Sequence, residues 1–193
     1  PERFLLPISK KKTHVIEIHA GQITTTDLTI SLPPTLNFEP FGGYSKIAAV
    51  ERHHNTGKIG VAVAKGYGIK NGAVASSVSH DSHNIIVIGD NDADMAIAVN
   101  EIIRTQGGYT VVENGKVYET LALPIMGLMS DVGFENVNEA LQRMIQKAHQ
   151  MGVASKIDPF VTLSFLALPV IPELRITPRG ICKMTAKGPV ILS

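Results

Sequence analysis

Six consecutive side chains able to hydrogen-bond, Ser79-His80-Asp81-Ser82-His83-Asn84, separate two apolar, β-branched runs. Burying such a stretch is costly unless each group finds a partner. Loops at strand ends are also where a rigid scaffold holds reactive groups. Imidazoles at His80 and His83 titrate near neutral pH, and Asp81 between them can orient a ring or relay a proton. The same residue types suit a solvated turn whose Asp and Asn satisfy backbone groups. On chemistry alone both readings stand. A dedicated metal site is disfavoured, because two histidines and one aspartate this close together lack the ligand spacing of zinc sites.

Other clusters point to structure. Adjacent strand residues face opposite sides, so in Arg52-His53-His54 the two rings share no ligand unless a turn begins there; a polar hairpin tip is the simpler reading. His14 and His19 stand at odd spacing on one strand, and His149 sits near a helix C-terminus, where a partly charged imidazole is favourable. Lys65-Gly66-Tyr67-Gly68 contains GxG but no helix pattern follows, so its glycines serve backbone geometry. The acidic run Asp90-Asn91-Asp92-Ala93-Asp94 lacks the glycine and final glutamate of a calcium loop and reads as a helix cap. Ser164 lies outside any GxSxG elbow and is no nucleophile. Nothing in sequence activates Cys182, which reads as a buried thiol.

The elements that must carry these residues follow from periodicity and punctuation. Thr13–Ala20, Asp27–Leu32, Lys46–Arg52 and Lys58–Ala64 read as strands, the last two joined by a hairpin at Asn55-Thr56-Gly57. Ala73–Val78 and Ile85–Ile88 read as strands buried on both faces. Ala93–Gln106 is an amphipathic helix stopped by Gly107-Gly108, and Asn136–Met151 is a second one ending at Gly152. Tyr109–Glu113 and Lys116–Leu121 form a hairpin through Asn114-Gly115. The path from Ile85–Ile88 through the first helix to Tyr109–Glu113 suits a βαβ unit. Phe160–Leu168 fits strand or short helix equally, and Arg175–Met184 reads as a last strand with Gly180 inside it. The expected fold is α+β (mixed α/β): one domain over residues 1–193, with a mostly β core, hairpins and two main helices. It is not a TIM barrel.

Composition narrows the class. The 193 residues are 44% hydrophobic and 18% charged, with net charge +1. That suits one domain with a real core and excludes a disordered chain. No basic footprint marks a nucleic-acid partner, and no apolar run approaches the roughly 20 residues of a membrane span. One cysteine excludes internal disulfides and CxxC knuckles, so a cytoplasmic setting is expected. The chain begins at Pro1 without a signal-peptide pattern, as an excised piece or a separate subunit would.

Taken together, Lys46–Ile102, with its ERHHNTGKIGVAVAKGYG and SVSHDSHNIIVIGDND stretches, resembles the C-terminal domain of bacterial-type adenine deaminase of the amidohydrolase superfamily. LPIMGLMSD at Leu123–Asp131, PFVTLSFLALPVIPELRIT at Pro159–Thr177 and THVIEIHAGQITT at Thr13–Thr25 extend the resemblance over nearly the whole chain. The resemblance implies a complete enzyme that hydrolyses adenine to hypoxanthine and ammonia in purine salvage. It implies a (β/α)₈ barrel with divalent manganese or iron held by an HxH pair and further His and Asp residues. This chain has no HxH and no room for eight βα units. It is therefore expected to hold no metal and to be inactive alone. It would partner the barrel domain, with adenine or hypoxanthine as ligand, in a homo-oligomer such as a homodimer. On this reading His80, Asp81 and His83 are candidates for closing the pocket or relaying protons, and Ser79, Ser82 and Asn84 for substrate binding. Two other classes stay open. One is a scaffold or dimerisation domain using the apolar Phe160–Leu174 run; the other is a free-standing purine-binding module.

Overall fold

The computed structural model describes residues 1–9 and 12–192. After a 3₁₀ turn at Glu2–Phe4, β1 (Thr13–Ile18) pairs antiparallel with β2 (Thr25–Ile30). β3 (Tyr44–Val50) and β4 (Ile59–Lys65) form the expected hairpin. β5 (Gly72–Ser76) and β6 (Ile85–Gly89) are buried along their whole length, as their unbroken apolar sequences require. α1 (Asp92–Arg104) leads to β7 (Gly108–Glu113), which turns into β8 (Lys116–Ala122). In that turn Asn114 and Gly115 both take positive φ, the left-handed geometry that an Asn-Gly hairpin supplies. α2 (Phe134–Gln150), α3 (Pro159–Leu166) and the strands β9 (Leu174–Thr177), β10 (Gly180–Thr185) and β11 (Gly188–Ile191) complete the described residues.

The eight-stranded sheet runs β2-β1-β4-β3-β6-β5-β7-β8, and β11-β10-β9 form a second sheet. Among the described residues of this sheet, only β1 and β4 pair in parallel. β6 and β7 are both antiparallel to β5, so they are parallel to one another with α1 as the crossover, which is the expected βαβ unit. Strand alternation sorts the core into two layers. Ala48, Val50, Ala73, Ile85 and Val87 face Met95, Ala98, Val99 and Ile102 of α1. Ile47, Ala49, Val74, Ile86 and Ile88 face α2, α3 and β9 through Met144, Leu163, Leu166, Leu174 and Ile176. Each such fully buried Leu or Ile contributes roughly 1.5–3 kcal/mol relative to exposure. The mixed, mostly β architecture without a barrel is the expected one.

Helix starts are set by side chains. Asn91 caps α1 by accepting from the Asp94 N–H at 2.8 Å, so the acidic run is a cap. Asp158 accepts from the Phe160 and Val161 N–H groups, with Pro159 at the first helical position. That start signal resolves the ambiguous Phe160–Leu168 segment as a helix, so among the described residues a third, short helix joins the two main ones. The single strand expected over Arg175–Met184 is instead two. Pro178 has no N–H for a ladder and the Thr177 hydroxyl accepts from Arg179 N, so the chain reverses at Pro178-Arg179 and Gly180 opens β10. The glycines of Lys65–Gly68 serve geometry: Gly66 and Gly68 both have φ of +95°, and a Cβ on Gly66 would fall 2.4 Å from the Ile18 carbonyl oxygen.

Two buried cations act as bolts. Lys46 Nζ donates to Phe4 O, to Asn37 Oδ1 at 2.8 Å and to Asp92 Oδ1 at 2.5 Å, tying the N-terminal turn and the loop before β3 to the start of α1. Arg175 donates to the carbonyls of Ile23, Pro172 and Leu174 and to the Thr25 hydroxyl, joining the two sheets. Burial without a counter-charge pulls its pKa down to about 10.

Candidate functional site

The turn Ser79–Asn84 links β5 to β6 and is held from within. The Ser79 hydroxyl donates to Asn84 O at 2.6 Å, and the His83 N–H donates to Ser79 O at 2.6 Å. The His80 N–H donates to Ser164 O at the end of α3, and the His80 ring lies 5.2 Å from the Phe165 ring. With its backbone anchored, the turn presents Asp81 and Ser82 to solvent. The Asp81 side chain is 89% exposed, and among the described residues the basic group within 4 Å of it is His80 Nδ1 at 3.8 Å. That distance is too long for a hydrogen bond that would orient the ring.

The six candidates do not converge on one pocket. Ser79, Asp81, Ser82 and Asn84 line a cleft of about 280 Å³ whose far wall is Ala167–Val170 and Ile176–Pro178. His80 and His83 stand outside that lining, with rings 6.3 Å apart and tilted 61°. Ser79 is fully buried and its hydroxyl is committed within the turn, while Asn84 Oδ1 accepts from the Arg52 N–H at 3.3 Å. Asp81, Ser82 and the half-exposed His80 are therefore the candidates open to solvent. The His83 Nδ1 is buried and has no partner. Burial holds the His83 pKa below the ordinary imidazole value, with the charges of His80, Arg52 and His53 adding to the effect and Asp81 opposing it.

Residues that the sequence assigned to a separate hairpin tip complete this region. His53 Nε2 meets Ser82 O at 2.6 Å. Arg52 Nε donates to His83 O at 2.6 Å and its Nη2 to Met126 O at 2.7 Å, so one guanidinium clamps the polar turn to the Pro124–Met129 loop. A Cβ at Gly127, where φ is +76°, would meet the Arg52 guanidinium at 2.4 Å; the glycine makes the clamp possible. No spacing rule links residues 52, 83 and 126, because the link is made across the sheet.

The other readings resolve as follows. The His53 and His54 rings are 6.5 Å apart on an exposed loop. His14 Nδ1 pairs with Asp27 at 2.7 Å and His19 Nε2 with the Thr26 hydroxyl at 2.7 Å, both structural. His149 meets Val153 O just past the end of α2. Ser164 is buried inside α3, and Cys182 is buried with its thiol pKa raised by desolvation. The Phe160–Leu174 run is mostly not an exposed face: Phe160, Leu163, Leu166 and Leu174 are spent in the domain's own core. Among the described residues no three His, Cys, Asp or Glu side chains are grouped to hold a metal ion. Among the described residues no helix is long and apolar enough to cross a membrane.

Fold and site together define a non-barrel α+β domain that presents an anchored polar turn at one end of its sheet. Comparison with known proteins makes this specific. A family model described as the adenine deaminase C-terminal domain matches residues 22–187. Adenine deaminase of Desulfitobacterium hafniense is 47% identical over 181 residues, covering 93% of this chain and 32% of the relative. That of Clostridium acetobutylicum is 54% identical over 140 residues, 72% of this chain and 25% of the relative. That of Bacillus subtilis is 43% identical over 181 residues, 92% of this chain and 31% of the relative. The chain belongs to the adenine deaminase C-terminal domain family. It spans about a third of the length of the curated relatives it matches.

Proposed function

We propose that this chain, residues 1–193 as one domain, is the C-terminal part of an adenine deaminase that hydrolyses adenine to hypoxanthine and ammonia, and that it completes a site whose metal ligands belong to the preceding portion. The observation that carries this is the match to about a third of several adenine deaminases, joined to a polar turn anchored beneath and open above. In that role the half-exposed His80 and the exposed Asp81 hold or pass a proton at the mouth of the site. Ser82 offers a hydroxyl to substrate, and the desolvated His83 stays neutral near pH 7 and shapes the turn. The lone buried Cys182 accords with a reducing, cytoplasmic setting.

The test is a deamination assay on this chain alone, supplied with manganese or ferrous iron, beside the chain mixed with the separately produced remainder of the Desulfitobacterium relative. We expect no turnover alone and turnover in the mixture, lowered by His80→Ala without loss of folding. Turnover by the chain alone would refute the division of labour, as would an inert mixture under conditions where the full-length relative works. A second reading has one observation in its favour. The cleft beside Asp81 and Ser82, mostly apolar with few polar groups, has the character of a small-molecule site. Calorimetric titration with adenine tests a free-standing purine-binding module; heat of binding to the isolated chain supports it, and its absence removes it.

A further inference from the structure

Four connections gather at one end of the large sheet. Val50 pairs with Ile59 and Ile85, Ser76 with Ile86 and Tyr109, and Gly108 with Ala122. This register brings together the Arg52 loop, the Ser79–Asn84 turn, the α1–β7 link and the β8–α2 loop. The last of these carries Ile125, Met126, Met129, Val132 and Phe134, all exposed; Met126 is 77% and Phe134 78% accessible. Five large apolar side chains within ten residues form a patch of the kind that marks an interface, whereas single exposed apolar residues do not.

The patch is held, not loose. The buried Ser77 hydroxyl donates to Gly127 O at 2.6 Å, Arg52 donates to Met126 O, and the Leu123 N–H donates to Gly107 O at 2.9 Å. Ile125 and Met129 bridge across the loop itself. Hydrogen bonds from buried and half-buried donors therefore fix the backbone that carries these apolar side chains. The same Arg52 fixes the polar turn, so turn and patch form one continuous rigid surface. Pro1 lies at this end too, in a cleft with Arg3, Val50, Glu51 and Gly57, and Arg3 reaches the Gly57 carbonyl. In a longer member of the family the polypeptide ahead of this segment enters beside Glu51 and Gly57, in the loop that carries Arg52. About two thirds of each relative's length lies outside the match.

We infer that the loop Pro124–Phe134 and the turn Ser79–Asn84, tied together by Arg52, are the docking face for the preceding portion of the longer polypeptide. The apolar loop supplies the adhesive core, where adaptable methionines follow a partner's contour, and the turn stands at its margin. The inference rests on the proposed function only in taking that portion as the partner. It does not depend on adenine being the substrate.

Hydrogen exchange of this chain, with and without the remainder of the Desulfitobacterium relative, tests it. Protection is expected at residues 79–84 and 123–134. Met126→Asp and Phe134→Asp should each weaken association at least tenfold and leave the melting temperature unchanged, since both side chains already stand in water. Leu36→Asp, at a still more exposed position near the opposite end of the sheet, should bind as wild type. Protection confined to other surfaces, wild-type affinity in both variants, or no association at all would overturn the docking face. The two readings fail separately. A complex formed through this face that does not deaminate adenine keeps the docking face and refutes the activity. Restored turnover with undiminished binding of both variants does the reverse.

Discussion

Removing the Arg52 guanidinium should loosen two segments that lie 43 residues apart in sequence, His83 and Met126. The bond from Nε to His83 O is half-buried, and a hydrogen bond to a charged group contributes roughly 1.5–3 kcal/mol. The bond to Met126 O lies at the surface, where water substitutes for most of it. Arg52→Ala should therefore raise the free energy of the turn by about 2 kcal/mol and that of the loop by less. Such losses appear as local opening before they appear as global unfolding. At about 1.4 kcal/mol per factor of ten, amide exchange at His83, whose N–H donates to Ser79 O, should accelerate roughly 30-fold. Met129, whose N–H donates to Ile125 O, should accelerate severalfold. Residue-resolved exchange by NMR reads both sites, with Val87 in β6 as an unchanged internal standard. Arg52→Lys should rescue one segment and not both, because an ammonium lacks the planar fork that spans two carbonyls. Wild-type exchange at His83 in Arg52→Ala would refute the clamp, and so would full rescue of both segments by lysine.

Lys46→Met should destabilise the fold by roughly 3 kcal/mol in denaturant titration, because it strands Asp92 and Asn37 at a largely buried site; adding Asp92→Asn should recover part of the loss. The Glu51 carboxylate accepts from the Thr56, His54 and His53 N–H groups and the Thr56 hydroxyl, which holds its pKa at about 2. Its folded value lies below its unfolded one, so the stability it lends is present above about pH 4.5 and lost as pH falls through about 2; a carboxyl titration by NMR should show that low midpoint, and Glu51→Gln should abolish the acid-dependent part. His83, desolvated first and then repelled by His80 and Arg52, should titrate below 6.5. Because the unfolded chain then takes up the proton first, stability should fall as pH drops from about 6.5 toward the folded value; a His83 midpoint at or above 6.5 in a histidine NMR titration would contradict this. Cys182, buried and raised in pKa, should react with thiol reagents only at the rate of unfolding.

Much of this domain was written locally. Alternation in the β1 segment, Asn114-Gly115 between two β-branched runs, and Asn91 ahead of an apolar stripe each carry their own backbone consequence, because periodicity and caps act over a few residues. The long stretches Lys46–Ile102 and Leu123–Asp131 likewise carried the family resemblance without any structure. Where a segment was strongly apolar without a clear period, as at Phe160–Leu168, periodicity fell silent and the answer lay in the Asp158-Pro159 start signal just outside it. What sequence could not hold was anything made across the sheet. Strand order put His53 against Ser82, and Arg52 between His83 and Met126. It also left His80 and His83 outside the lining of the cleft that Asp81 and Ser82 share. Spacing along a chain reports which residues share a face of one strand or helix. Which loops meet at the end of a sheet depends on pairing and register between distant segments, and only the tertiary structure fixes those.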